Sequence, residues 1–277
     1  MRFKLIIGII VTLIFSSCSN KKVEEEPKVA HYLHLSHTRT NTNPLLDATV
    51  EKLDFGNYEM LWLGGDLAQL TSADDSTMQH VDRLFDLSNS TTLWALGNHD
   101  YSNLERVKKF TGKPNYYSYY KNGITVVVLD TQDSLSNIVG EQKAFLYGIL
   151  DSLKNSSHLV VLHHKLIWMY NYAELEQKAK SISNAEIGDC SYCINPNPFH
   201  SEIYPKLVEL KKKGVEVLCI GGDIGFNAKQ FEFETEEGIY FLASGIHANN
   251  SGNKALLFSH NLHKRQLTWE FVPLEKL

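Results

Sequence analysis

Residues 95–101 read ALGNHDY, and the apolar run that leads into them, Thr91 to Leu96, has the composition of a buried strand. The run stops at Gly97, and three polar residues follow at once: Asn98, His99 and Asp100. An amide oxygen can bind a metal, an imidazole can move a proton, and a neighbouring carboxylate can orient or charge that imidazole. One polar group after a strand is usually only a turn. Three with complementary chemistry are more specific.

The pattern recurs on either side. Met60 to Leu63 ends at Gly64-Gly65-Asp66, and Ile124 to Leu129 ends at Asp130. His158 to Leu162 ends at His163-His164, and Val215 to Ile220 ends at Gly221-Gly222-Asp223. The first strand, Val29 to Leu35, runs into Ser36-His37, with Arg39 two residues on. Helical spacing marks residues 76–87, 141–153 and 201–213. Four later runs, 230–234, 239–243, 255–259 and 267–271, follow one another without helices. An α/β half therefore gives way to a β-rich tail, which predicts a two-sheet β sandwich flanked by helices.

Loops at the carboxyl ends of such strands converge on one crevice. Asp66, Asn98, His163, Asp223 and His37 are expected there, with His164 as an alternative to His163. His247, in ASGIHANN near a late strand end, is expected to be a loop residue. Carboxylate, amide oxygen and imidazole together suit a divalent ion such as Mn, Fe, Zn or Mg. The adjacent glycines allow tight turns and close ligand approach.

Five segments in this order resemble the calcineurin-like metallophosphoesterase superfamily: WLGGDLAQL, ALGNHDY, VVVLDTQ, GEQKAFLYGIL and VVLHHKLIW. The resemblance implies a four-layer αββα fold and hydrolysis of a phosphomonoester or phosphodiester by two metals about 3.5–4 Å apart. It implies that Asp66 bridges the metals and that Asn98 and His163 bind the second. His99 would lie near the leaving group, as general acid or transition-state stabiliser, and Asp100 would hold His99.

Two motifs depart from the family. Its opening D-x-H is here His37 and Arg39, and its closing G-H-x-H is here Gly222-Asp223-Ile224-Gly225, without histidine. Arg39 has no lone pair for a metal, but its planar fork fits two phosphoryl oxygens. The expectation is therefore an atypical site holding one metal on Asp66, Asn98, His163 and Asp223, with His37 a further candidate. Arg39 would stand in for the other cation. The alternative is a catalytically inactive module of the same fold that binds an envelope ligand or a protein partner, because losing one metal's ligands removes most of a two-metal enzyme's rate.

The N-terminus carries a separate message. A short basic start, an apolar run from Leu5 to Phe15, and Ser16-Ser17-Cys18 resemble a bacterial lipoprotein signal, in which Cys18 becomes lipidated. The charged stretch SNKKVEEEPK reads as a tether. The expected organisation is a signal at 1–17, a lipidated Cys and tether at 18–28, and one domain at 29–277. That puts the domain at the bacterial cell envelope, facing periplasm or exterior. In an oxidising compartment Cys190 and Cys193, in turn-rich GDCSYCINPNPF, are expected to form a local disulfide. A zinc half-site or redox motif has less support, since no partner CxxC accompanies them. Cys219 sits in an apolar run and is expected to be buried.

The segment between His164 and His200 is expected to be irregular, its aromatics either a lid or packing. Net charge is −5, so a nucleic-acid partner has no electrostatic support. No G-x-S-x-G and no G-x-x-x-x-G-K-[ST] occurs, which leaves a serine hydrolase and a P-loop unsupported.

Overall fold

The computed structural model describes residues 28–277, so the signal segment, Cys18 and all of the tether but Lys28 lie outside the described residues. Strand β1 (Val29–Leu35) shows how the layers arise. Ala30 and Tyr32 face a core shared with Val160 and Leu218, whereas Leu33 and Leu35 face one shared with Met78 and Val81. Successive strand residues point to opposite faces, so a strand apolar on both faces must be covered twice.

Five strands form the first sheet: β1, β2 (Met60–Leu63), β3 (Thr92–Trp94), β10 (Lys254–Asn261) and β11 (Gln266–Pro273), in the order β11-β10-β1-β2-β3. Six form the second: β4 (Tyr117–Lys121), β5 (Ile124–Val128), β6 (His158–His163), β7 (Glu216–Gly221), β8 (Gln230–Glu234) and β9 (Tyr240–Ser244), in the order β4-β5-β6-β7-β9-β8. Strands β1–β3 run parallel in one sheet, and β5, β6, β7 and β9 in the other. Tyr32, Trp62, Val126 and Phe258 fill the space between the sheets.

Helices α1 (Asp75–Phe85) and α2 (Leu104–Thr111) cover the first sheet through Met78, Val81 and Val107. Helices α3 (Gly140–Ser152), α4 (Ala173–Ile182) and α5 (Tyr204–Lys212) cover the second through Leu146, Leu175 and Leu207. The result is the expected helix–sheet–sheet–helix sandwich. Gln142, at the start of α3, locks that helix to the end of β5: its Oε1 accepts from the Asp130 N–H at 2.7 Å and its Nε2 donates to the Asp130 carbonyl at 3.0 Å.

Three elements go beyond the sequence expectation. α2 and β4 lie between residues 101 and 123, and α4 lies inside the segment expected to be irregular. Trp168 of that segment packs inward, fully buried and stacked on Phe231 and Phe241 with centroids 5.3 and 5.1 Å away, whereas Tyr192 is exposed. Among the described residues no helix is long and apolar enough to cross a membrane.

The two sheets meet where their parallel strands end. The Ser36 hydroxyl lies 2.6 Å from the carbonyl oxygens of both Gly222 and Ser244. A Cβ on Gly222 would stand 1.8 Å from the Gly64 oxygen, so only glycine permits this approach. The Gly-Gly pairs expected to admit a ligand thus admit backbone from the other sheet.

Candidate active site

A cavity of about 220 Å³ opens at this junction, lined by His37, Arg39, Asp66, Asn98, His99 and Asp223 among others. They come from loops after β1, β2, β3 and β7, as the strand-end rule requires. A larger open cleft, about 660 Å³, lies at the opposite strand ends beside Lys154 and Arg265, and contains none of these groups.

Asp66 is the centre of the cavity. Its backbone is left-handed, with φ 56°, and so is that of His37, with φ 55°. Two non-glycine residues in that region, joined through the His37 N–H to Gly65 O bond at 2.9 Å, mark a strained site. Asp66 Oδ1 accepts the His99 N–H at 3.0 Å. A Cβ on Gly97 would come within 2.1 Å of that oxygen, so glycine there leaves room for the carboxylate. Burial pushes the Asp66 carboxyl up, but His164, His37 and His99 outweigh it and hold it below the ordinary range.

Of the β6-end histidines, His164 is the one aimed at Asp66. Its Nδ1 donates to the Gly64 carbonyl at 2.7 Å. Its Nε2 is buried without a hydrogen-bond partner, 3.6 Å from Asp66 Oδ1 and 4.0 Å from Asp223 Oδ1. His163, expected as the ligand, does not reach the cavity. Along β6, Leu162 faces the other sheet and Val161 faces the helices, so His164 takes the inner side and His163 the outer. The His163 Nδ1 is bonded to the Lys165 carbonyl at 2.7 Å, and burial lowers its pKa to about 4.

Asp100 does not hold His99 either. Its Oδ2 accepts from the Asp66 and Gly97 N–H groups at 2.7 and 2.8 Å, and its Oδ1 from the Leu67 N–H and the Thr71 hydroxyl at 3.1 and 2.5 Å. It clasps the Asp66 loop to the Asn98 loop. His99 is held by Gln69 instead, its Nδ1 donating to the Gln69 carbonyl at 2.6 Å, with Nε2 4.0 Å from Asp66 Oδ2. The Gln69 side chain also accepts from Arg39 Nη1 at 2.5 Å. Arg39 Nε is buried without a hydrogen-bond partner, 3.9 Å from Asp66 Oδ2. His37 donates from Nδ1 to the Ile246 carbonyl at 2.9 Å and turns Nε2 toward Asp66 Oδ2 at 3.8 Å.

Burial raises the Asp223 carboxyl to about 6, with His164 partly opposing the rise. For His164, burial lowers the pKa but Asp66 and Asp223 more than reverse it, leaving the imidazole above its ordinary value. Gln69, Asn184, Tyr192 and Phe226 border the site without having been expected there. Tyr192 lies between Cys190 and Cys193, which are joined by a disulfide. His247 does not line the cavity; its ring packs on Phe226, centroids 4.7 Å apart.

Among the described residues no group of three His, Cys, Asp or Glu side chains is arranged to hold a metal ion. Asp66, His164 and Asp223 lie together, but their separations of 3.6 and 4.0 Å exceed the ~3.3 Å expected for donors ~2.0 Å from one tetrahedral ion. Their chemistry fits one divalent ion: two carboxylates, the open Nε2 of His164, and the Asn98 amide beside them. Arg39 Nε and His37 Nε2 both face the other carboxylate oxygen, Asp66 Oδ2, at 3.9 and 3.8 Å.

The chain belongs to the calcineurin-like phosphoesterase family, whose model matches residues 33–261. It is similar to a dimetal phosphatase from Danio rerio, with TM-score 0.54 and 12% identity over 90% of this chain and 97% of that one. It is also similar to the NAD nucleotidase of Haemophilus influenzae, with TM-score 0.44, 14% identity and coverage of 90% and 50%. A 5'-nucleotidase precursor from Thermus thermophilus gives TM-score 0.38, 14% identity and coverage of 89% and 54%. The chain spans about half the length of these two nucleotidases. No curated protein matches it at a significant level. At such identities the likeness to the solved structures concerns the fold.

Proposed function

We propose that the chain hydrolyses a phosphomonoester or phosphodiester in this cavity, using one divalent ion held by Asp66, Asn98, His164 and Asp223. The observation that carries the proposal is His164 Nε2, buried without a hydrogen bond 3.6 and 4.0 Å from two carboxylates. Buried nitrogens are normally satisfied, so an open one aimed at carboxylates supports a ligand role. A bound Mn, Fe, Zn or Mg ion would supply an activated water and neutralise phosphoryl charge.

The chain's own groups do the rest. Arg39 presents its fork to the phosphoryl oxygens, with Nη1 steadied by Gln69 and Nε open. His99, its Nδ1 fixed by the Gln69 carbonyl, keeps Nε2 for proton transfer to the leaving oxygen. Membership of a phosphoesterase family and a fold shared with a dimetal phosphatase support the reaction class. The proposal also places the domain at the bacterial envelope through a lipidated Cys18, on the sequence of residues 1–28 alone.

A non-catalytic binding module is the second reading. It is favoured by the absence, among the described residues, of a side-chain group arranged for a metal, and by a His164 imidazole whose raised pKa lets it pair with Asp66 and Asp223 unaided. Hydrolysis of a chromogenic phosphomonoester and phosphodiester with added Mn, Zn or Mg separates the two. The proposal expects turnover that falls about 100-fold or more in Asn98→Ala and His99→Ala. The second reading expects none with any metal.

A further inference from the structure

The cavity, about 220 Å³, is several times the size of a phosphoryl group, so the alcohol half of a substrate held at Arg39 also lies against its lining. Two exposed aromatics stand there: Tyr192, 60% exposed, and Phe226, 44% exposed. An exposed tyrosine on a loop needs no support, yet this one is heavily supported. Its neighbours Cys190 and Cys193 are bonded to each other. Asn195 clamps the same turn, its Oδ1 accepting from Cys190 N–H and its Nδ2 donating to the Cys190 carbonyl, each at 2.8 Å.

The third support is Lys165, whose fully buried side chain donates from Nζ to the Ser191 carbonyl at 2.9 Å. Lys165 follows His164 directly, so the strand end that sets the open imidazole also sets the Tyr192 loop. Phe226 is fixed by the loop that follows β1. Its ring lies 4.6 Å from that of His37, and the Arg39 guanidinium stands over it at 5.6 Å.

We infer that Tyr192 and Phe226 form a subsite for a planar aromatic group on the alcohol side of the substrate, so that the preferred substrates are aryl or nucleoside phosphoesters. The inference rests on the phosphoester reading above. Ordered supports hold the backbone that carries Tyr192, so less freedom is lost when a flat partner covers its ring. An alkyl chain gains only from a continuous apolar groove, and the rest of the cavity lining includes Asn98, Asn184 and Asp223. A ring stacked on Tyr192 keeps its own edge in water, so polar surroundings do not oppose it.

The test compares two non-hydrolysable probes, phenylphosphonate and methylphosphonate, by calorimetric titration of the purified protein with Mn supplied. The expected result is phenylphosphonate binding about tenfold tighter, the size of one ring-on-ring stack. Tyr192→Ala should erase the difference while leaving methylphosphonate affinity unchanged, and Tyr192→Phe should keep it. Equal affinities in the native protein, a difference that survives Tyr192→Ala, or a matching loss of methylphosphonate binding in that variant each overturn the subsite and leave the phosphoester reading standing. If neither probe binds, the phosphoester reading fails and the subsite with it.

Discussion

His164 points its Nε2 at Asp66 Oδ1 across 3.6 Å, from the end of a strand in one sheet to a loop of the other. The same ring donates from Nδ1 to the Gly64 carbonyl at 2.7 Å, so one side chain spans the two sheets, and the proposed metal site depends on it. His164→Ala should weaken divalent-metal binding more than tenfold, as loss of a ligand does. His163→Ala should keep metal stoichiometry and lose only stability, because its ring faces away. Calorimetric metal titration of both variants checks this; the opposite ranking would restore His163 as the ligand.

Arg39 should matter for the substrate more than for the metal. Arg39→Ala should lower kcat/KM for a phosphoester about 100-fold while metal content stays as in the native chain. Arg39→Lys should recover little, since an ammonium cannot reproduce the fork that spans Gln69 and a phosphoryl group. Steady-state kinetics with parallel elemental analysis reads both.

The Asp100 clasp makes a prediction about stability. Asp100→Asn replaces an oxygen that accepts from backbone N–H groups, at 2.7 Å or more, with a donor. It should destabilise the fold by about 1–3 kcal/mol. Gly97→Ala drives a methyl into Asp66 Oδ1 and should cost a similar amount together with metal binding. Urea unfolding of each variant gives the comparison.

The raised carboxyl of Asp223 gives a pH dependence of defined sign. Its value is about 6 in the folded chain against 3.8 ordinarily, so the folded state holds more protons between these values. Stability present at low pH is therefore lost as pH rises through that window, by up to about 3 kcal/mol. Asp223→Asn cannot ionise, so the metal-free variant should gain on the metal-free native chain between pH 4 and 7. Divalent-metal affinity of the native chain should rise over the same window, because the ligand must be deprotonated. Buried His34, His158 and His163, lowered to about 3, 4 and 4, act oppositely on native and variant alike, which is why the comparison is a difference.

The sequence made the sandwich readable because strands ending at Gly-Asp, Gly-Asn-His-Asp and Gly-Gly-Asp line up at one edge. It could not choose between His163 and His164. HLVVLH is buried throughout, so no polar alternation marks which parity faces the other sheet. The role of Asp100 is not legible because three of its partners are backbone N–H groups, of Asp66, Leu67 and Gly97, and main-chain donors carry no residue signature. Gln69 was in view within WLGGDLAQL, but its carbonyl does the holding, and any residue has one. Tyr192 was hidden for another reason: its place at the cavity depends on the fold of residues 165–200, where helix α4 breaks up what read as one long loop. Local signals do mark two further elements: Tyr117-Ser118-Tyr119 alternates along β4, and Asn103 caps α2.

The most direct test of the single-metal account is the metal content of the purified protein, prepared without chelator and measured by elemental analysis. The account predicts about one divalent ion per chain, lost in His164→Ala and retained in Arg39→Ala. Two ions per chain would contradict it by showing that Arg39 does not replace a metal. None, even after incubation with Mn or Zn, would contradict it from the other side and leave the non-catalytic reading.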